Sequence, residues 1–582
     1  MRPEEIPQFP QYPEKLAIND QLFSPQTGVK LKAGLFRQVF DYNRAFLKTL
    51  DKEAMKYWYC RKANIPTSAQ PYRGHFEDNL KGSTLSMFLM GAANALRWEE
   101  DQELRQEVEE LFGCLKASVE QDGFAMPIDK RQFAHREYPH YVRIWLNYAL
   151  SAVGLSCDPE AYQLLREWQD WFNRCKDLPI IRYLELAFQG IVASTHAYLT
   201  PAGVEKDLTT SIRYYEEPWR LAQFMRQETN AVHIRTQPGI EPHAHGSELE
   251  GLEGYLDFYR CTGAEYYLTA VRGAIALYQK DWQHVGGGIV MCEGMPENYP
   301  GCGWLNPKNH YNELCCTSFW LFLHMRLHRM FPDEESAMAE VEKSLYNIAF
   351  ANQAGAEGIR YFAFLEQKKQ TPGKVHCCCG VGTRIFGSLP EFLYSVSETA
   401  VSVNLYTPSQ LDWRGITLEQ EGNFPFTDQV TLRITKGTPK EFDLLLRIPS
   451  WVGERVSIQV NGQEESLAMP GRYAKLHRLW TKGDVISYRL PMTFRLTKYH
   501  GAEEIPGLAR YGIEYGPLLY GVAGPDYRKA RLVGWDKDDF QNWLIPDSQP
   551  LCYRIQMKPG YRLMPYFLID KEEFTCYPIF NE

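Results

Sequence analysis

Apolar residues recur at three- and four-residue spacing through most of the first 395 positions, and this period predicts helices joined by loops. Ala33–Trp58 is periodic throughout. Ser83–Trp98 is apolar on most faces, as an inward-facing helix would be. Asp101–Gln121 is amphipathic, with acidic residues in its first turn. Further helical stretches fall at His140–Val153, Pro159–Cys175, Ile180–Tyr198, Glu217–Gln227, Ser247–Cys261, Ala264–His284, Glu313–Met330 and Glu334–Asn352. About a dozen helices in series suit a double ring of helix hairpins, the (α/α)6 barrel; an irregular helical bundle or solenoid accommodates the same count.

Near Glu398 the period changes to two. Val401–Tyr406, Gln429–Ile434, Phe442–Ile448, Val456–Val460 and Val485–Leu490 are short, with alternating or β-branched residues, and turn signals such as Asn461-Gly462 separate them. They predict a β-sandwich. Tyr511–Val522 and two further strand-like pieces predict a second small β module, so the expected division is 1–395, 396–500 and 501–582. No internal repeat or low-complexity tract interrupts it.

Composition narrows the class. A chain of 582 residues exceeds one ordinary core. Hydrophobic residues at 44% and charged residues at 23% are those of a folded globular protein. A net charge of −9 provides no basic footprint for nucleic acid. The abundance of Tyr, Phe and Trp fits stacking on sugar faces, but it fits large cores equally. No run of about 18 apolar residues predicts a membrane span. The first residues carry no signal-peptide pattern, and seven of the 14 cysteines crowd between Cys292 and Cys379 instead of spreading as in a disulfide scaffold. A reducing, cytoplasmic setting is expected. A homodimer is compatible with the sequence, which does not specify it.

That crowding centres on His376-Cys377-Cys378-Cys379-Gly380-Val381-Gly382. Three adjacent cysteines followed by alternating glycines do not read as core packing, and the run is expected on a loop whose glycines take unusual backbone angles. Cys315 and Cys316 lie upstream, with Glu313 two residues before Cys315. Thiolates and a carboxylate from two such loops complete a tetrahedral zinc site. Buried, inert thiols are the plain alternative.

Several stretches together resemble the β-L-arabinofuranosidase family, glycoside hydrolase family 127, with its relative family 146. Cys377-Cys378-Cys379-Gly380-Val381-Gly382 is similar to the family's Cys-Cys-x-Gly-x-Gly segment, and Glu313-Leu314-Cys315 to its Glu-x-Cys segment. In the β half, Leu405-Tyr406-Thr407-Pro408-Ser409, Leu446-Arg447-Ile448-Pro449-Ser450-Trp451, Val460-Asn461-Gly462, Trp480-Thr481-Lys482-Gly483-Asp484 and Tyr515-Gly516-Pro517-Leu518-Leu519-Tyr520 follow in the family's order.

The resemblance implies an (α/α)6 barrel followed by two β-sandwich modules. It also implies a retaining glycosidase acting on an oligosaccharide or glycoside, with zinc held by Glu313, Cys315, Cys377 and Cys378. Cys377 would be the nucleophile and Glu293, after Gly287-Gly288, the acid/base, with Glu297 in reserve. His243, His245 and His140 occupy positions like those of sugar-contacting family histidines. Two departures stand out. Ser83 and Met87 replace the histidines of the family's Gly-His-Thr-Leu-Gly-His segment, and Gly294-Met295 replaces its His-Phe pair, so the sugar pocket is expected to be remodelled. The competing reading is a non-catalytic sugar-binding barrel in which zinc is structural, because four protein ligands would close the site. Cys316 and Cys379 have no assigned role.

Overall fold

The computed structural model describes residues 18–73, 75–134, 138–175, 190–215, 218–228, 231, 247–290, 311–499 and 506–582. Six helices form an inner ring: α1 (Ser83–Leu96), α2 (Tyr138–Ser156), α3 (Gly190–Tyr198), α4 (Ser247–Thr262), α5 (Leu314–Met330) and α6 (Cys377–Gly387). Each packs on the next, and α6 closes on α1. An outer helix backs each one: Gln102–Ala117 on α1, Glu160–Arg174 on α2, Glu205–Tyr215 on α3, Glu265–Asp281 on α4, Glu335–Ser344 on α5 and Leu35–Lys48 on α6. This is the (α/α)6 barrel. An irregular bundle would not close.

Patterning explains which helices went inside. Every residue of α1 except Asn94 is buried, whereas Gln102–Ala117 buries only the stripe Leu104, Val108, Leu111, Phe112 and Leu115. The expected Ala33–Trp58 helix is two helices, because the Asp51 carboxylate accepts from the Ala54 amide at 3.0 Å and starts a second one at Lys52–Lys62. Glu334–Asn352 is likewise interrupted, by a π turn at Leu345–Ala349.

The sandwich pairs a seven-stranded sheet with a four-stranded one. Its seven-stranded sheet takes its first edge strand, Val29–Leu31, from far upstream, antiparallel to Ser409–Trp413. In the four-stranded sheet Lys440–Ile448 lies between Arg472–Trp480 and Ala400–Val403. The C-terminal module is built on a ten-stranded sheet, in which the expected single piece Tyr511–Val522 is a hairpin of Leu508–Tyr515 and Leu518–Gly524.

Two of the family-like stretches turn out to be joints. Arg447 is fully buried and donates to Glu335 at 2.8 Å and Glu342 at 2.9 Å, both on the outer helix behind α5, and Trp451 Nε1 donates to Glu342 at 2.8 Å. Asn347, in the π turn, donates to the Pro517 carbonyl at 3.0 Å and accepts from the Leu519 amide at 2.7 Å. Removing one member of a buried, hydrogen-bonded ion pair leaves the other charge uncompensated, at a cost of about 3–5 kcal/mol. Arg447→Ala is therefore expected to lower unfolding stability by about that amount, read by denaturant titration, and Glu335→Gln in the same background should recover part of it.

Candidate metal and active site

The first turns of the ring helices meet at one mouth of the barrel. Glu313 precedes α5 as its N-cap, and Cys315 lies in the first turn. His376 caps α6, with Nδ1 accepting from the Cys379 amide at 3.2 Å, and Cys377 and Cys378 open that helix. The cysteine run is thus a helix start, not a free loop. A helix turns 100° per residue, so Cys377 and Cys378 face the ring axis while Cys379 points elsewhere, 3.2 Å from His376 Nε2 and 3.3 Å from the Gly373 carbonyl. The glycines serve close packing rather than unusual angles. A Cβ on Gly380 would overlap Met87 of α1, and one on Gly382 would press on Ile359 and Leu314.

One donor atom from each of Glu313, Cys315, Cys377 and Cys378 lies within 4.8 Å of the other three. The Cys315 and Cys378 sulfurs are 3.2 Å apart, and Cys378 Sγ is 3.7 Å from Glu313 Oε1. Corners of a tetrahedron with zinc–sulfur bonds near 2.3 Å are separated by about 3.8 Å, so the donor set could hold a metal ion and suits zinc. Cys316 is buried on α5 outside this group.

The four donors are not equivalent. Hydrogen bonds from Cys315 and then Cys378, helped by Tyr361, hold the Cys377 thiol well below its usual range, whereas burial pushes Cys315 and Cys378 up. Cys377 is 9% exposed, against 3% for Cys315 and none for Cys378 and Glu313. Its sulfur lies 3.2 Å from the Tyr361 hydroxyl. A bridge of two residues on each side, Asn312–Glu313 with Phe362–Ala363, fixes Tyr361 and Glu313 together, and the Leu314 amide donates to the Tyr361 carbonyl at 3.1 Å.

Of the other expected residues, His140 is buried, with Nδ1 2.7 Å from the Tyr215 hydroxyl and Nε2 3.1 Å from the Phe133 carbonyl. Burial lowers its pKa to about 4, so it is neutral. Glu293, Glu297, His243 and His245, with Gly294-Met295, lie outside the described residues. Ser83 and Met87 are both buried in α1.

Sequence reasoning passed over three neighbours. Tyr361 carries no motif. Tyr141 follows His140, and its phenol is pushed well up by burial, then by the charges of Cys377, Cys315 and Glu250. Glu250, in the first turns of α4, is fully buried. Burial, reinforced by Glu253, pushes its pKa well up, so it is a neutral carboxylic acid.

The family description "Beta-L-arabinofuranosidase, GH127 catalytic domain" matches residues 28–391, and "Beta-L-arabinofuranosidase, GH127 middle domain" matches 400–492. A GH127 β-arabinofuranosidase structure superposes with a TM-score of 0.75 at 17% identity, over 97% of this chain and 98% of that one. A GH127 β-L-arabinofuranosidase from Geobacillus stearothermophilus T6 gives 0.73 at 17% identity, over 95% and 100%. At that identity the likeness shows the fold alone. No curated protein matches the chain.

Two outcomes test the geometry. Protein purified without chelator should contain one divalent transition-metal ion per chain, reduced in both Cys315→Ser and Cys378→Ser; metal-free protein with intact free thiols would refute the site. Gly380→Ala should cost about 1–3 kcal/mol through overpacking, and Met87→Ala should restore part of it.

Proposed function

The chain belongs to the GH127 β-L-arabinofuranosidase family and is a glycoside hydrolase, and we propose that it releases L-arabinofuranose, or a closely related furanose, from β-linked glycans with retention, using Cys377 as nucleophile. The carrying observation is the inequality within the cluster. Cys377 is the most exposed of the four donors, and its sulfur lies 3.2 Å from the Tyr361 hydroxyl. A purely structural site would have no use for that difference.

The reaction assigns each residue a step. The Cys377 sulfur attacks the anomeric carbon while the Glu293 carboxyl gives its proton to the departing glycosidic oxygen. A thioglycosyl bond to Cys377 results. Glu293, now a carboxylate, takes a proton from water, the water oxygen attacks the same carbon, and Cys377 leaves as a thiolate. Zinc held by Glu313, Cys315, Cys377 and Cys378 would keep that sulfur deprotonated at neutral pH. The Tyr361 hydroxyl, 3.2 Å away, donates to the thiolate and limits its rotation. His243 and His245 would contact the sugar; for His140, also expected there, both ring nitrogens are already engaged, by the Tyr215 hydroxyl and the Phe133 carbonyl.

Glu293→Gln is expected to cut hydrolysis by about 10²–10⁴-fold, the usual range for general acid–base catalysis, and to spare substrates with very good leaving groups in the first step. The same behaviour in Glu297→Gln but not Glu293→Gln would move the assignment by four residues. Cys377→Ser should remain inactive at saturating zinc, whereas Cys378→Ser should lose activity in step with lost metal. A sugar-shaped electrophile should label Cys377, and an adduct on Cys378 or Cys379 would overturn the nucleophile. A panel of aryl furanosides and pyranosides tests whether Ser83 and Met87 have shifted the preference to a related sugar; β-L-arabinofuranoside as the best substrate by a wide margin would show those replacements to be neutral.

A further inference from the structure

At the opposite mouth of the ring lies a second cavity of about 460 Å³, within the ordinary range for small-ligand sites. Later turns of the ring helices line it, including Tyr148 and Leu155 of α2, His196 of α3, Arg260 of α4, Arg326 of α5 and Arg384 of α6. The cavity and the cysteine cluster thus occupy opposite ends of the same helices.

Charge in its wall does not balance. Five guanidiniums line the cavity, those of Arg97, Arg260, Arg326, Arg329 and Arg384. Four carboxylates answer them. Asp20 and Asp257 pair with Arg260 at 2.5 and 2.6 Å, Arg326 takes Glu253 at 2.5 Å and Asp257 at 2.9 Å, and Glu391 is shared by Arg329 at 2.7 Å and Arg97 at 3.2 Å. Arg384 is the one left over. Among the described residues its one carboxylate within ion-pair distance is Glu253, 3.8 Å away and already committed to Arg326, and its buried Nη1 has no hydrogen-bond partner. Its side chain is 7% exposed and stacks over Phe322 and Tyr148.

Two nearby groups do not supply the missing charge. Glu250 does not line the cavity, and burial with Glu253 pushes its carboxyl toward the neutral form. His196 is neutral, its pKa lowered to about 3 by burial and by Arg384 and Arg326. The rim is apolar in the opposite sense to the floor: Phe23 is 49%, Ile18 47% and Leu155 42% exposed, and all three line this cavity. Large side chains exposed together at a cavity mouth mark a binding surface. Helix C-termini converge here as well, and their partial negative charge disfavours a dianion.

We propose that this cavity binds a small amphipathic monoanion, a monocarboxylate that pairs with Arg384 and lays an aromatic or alkyl body against Phe23, Ile18 and Leu155. A planar carboxylate matches the guanidinium fork, and the rim removes the apolar body from water. The site is separate from the glycosidase centre and does not depend on the reading of Cys377.

Calorimetric titration of the full chain tests this without an activity assay. The probes are 3-phenylpropanoate, its neutral analogue 3-phenylpropanol, acetate and inorganic phosphate. We expect 3-phenylpropanoate to bind and to raise the unfolding temperature, with acetate and phosphate at least about tenfold weaker and the alcohol weaker still, as expected when a buried charged partner goes unmatched. Leu155→Glu, at an exposed position, should weaken binding at least about tenfold while leaving the unfolding temperature of the free protein unchanged. Arg384→Gln should abolish binding if it folds, and Leu155→Glu decides the question if it does not. Absence of binding, preference for phosphate, or wild-type affinity in Leu155→Glu would each overturn the proposal.

Discussion

Three thiols and a carboxylate packed within 4.8 Å of one another cannot all carry negative charge without a compensating positive field. The barrel answers this through the direction of its inner helices. Cys315 sits in the first turn of α5, and Cys377 and Cys378 in that of α6, so the positive ends of two helix dipoles lie at the cluster. Each dipole end is worth about half a charge, which lowers thiol pKa values but does not neutralise four donors. The remainder is what a bound dication would supply. A parallel ring, strongly amphipathic outer helices and a cysteine-rich mouth are thus parts of one electrostatic arrangement.

The same parallelism determines the other end. Where helices begin together they also finish together, and the C-terminal turns of the ring carry arginines: Arg97 after α1, Arg260 in α4, Arg329 in α5 and Arg384 in α6. A chain of buried pairs links Asp20, Arg260, Asp257, Arg326 and Glu253. Buried ion pairs of this kind add little net stability, because desolvation offsets attraction, but a mispaired arrangement is costly. They therefore specify how the helices register. Glu250 stands between the two ends as an uncharged acid, the state its burial beside Glu253 allows.

Legibility in the sequence followed the range of the interaction. Helix-period apolar runs announced the ring, and clustered cysteines announced the site, because both signals are local. The expected loop at Cys377 is a helix start. Two glycines in seven residues signal conformational freedom until the partner is known, and here the partner is Met87 in another helix. Ala33–Trp58 hid its break because Asp51 looks like any acidic residue within a periodic run until its carboxylate caps the Ala54 amide. Val29–Leu31 pairs with Ser409–Trp413, a contact no local pattern encodes. Tyr361 and Tyr141 matter only through what they stand beside, and nothing in their flanking residues distinguishes them from the other tyrosines.

The β modules are tied to the site through a short mechanical path. Tyr361 begins a segment whose Phe362–Ala363 pairs with Asn312–Glu313, holding a proposed metal ligand in place. Four residues further on, Glu366–Gln367 pairs with Phe574–Thr575 of the C-terminal module, and buried Glu366 accepts from Arg510 at 2.6 Å and Thr575 at 2.9 Å. The segment between barrel and module is therefore clamped at both ends, one beside the sulfur of Cys377 and the other in a sheet. Arg447 from the sandwich grips the outer helix behind α5 in the same way, and Pro517 and Leu519 from the C-terminal module grip Asn347 in the π turn that follows it. If Cys377 is the nucleophile, a tyrosine hydroxyl 3.2 Å from its sulfur leaves little room for looseness in that tyrosine's backbone. Rigid support from the sheets is one way to provide it, and it accounts for family-like stretches in the β half that lie at the joints with the barrel.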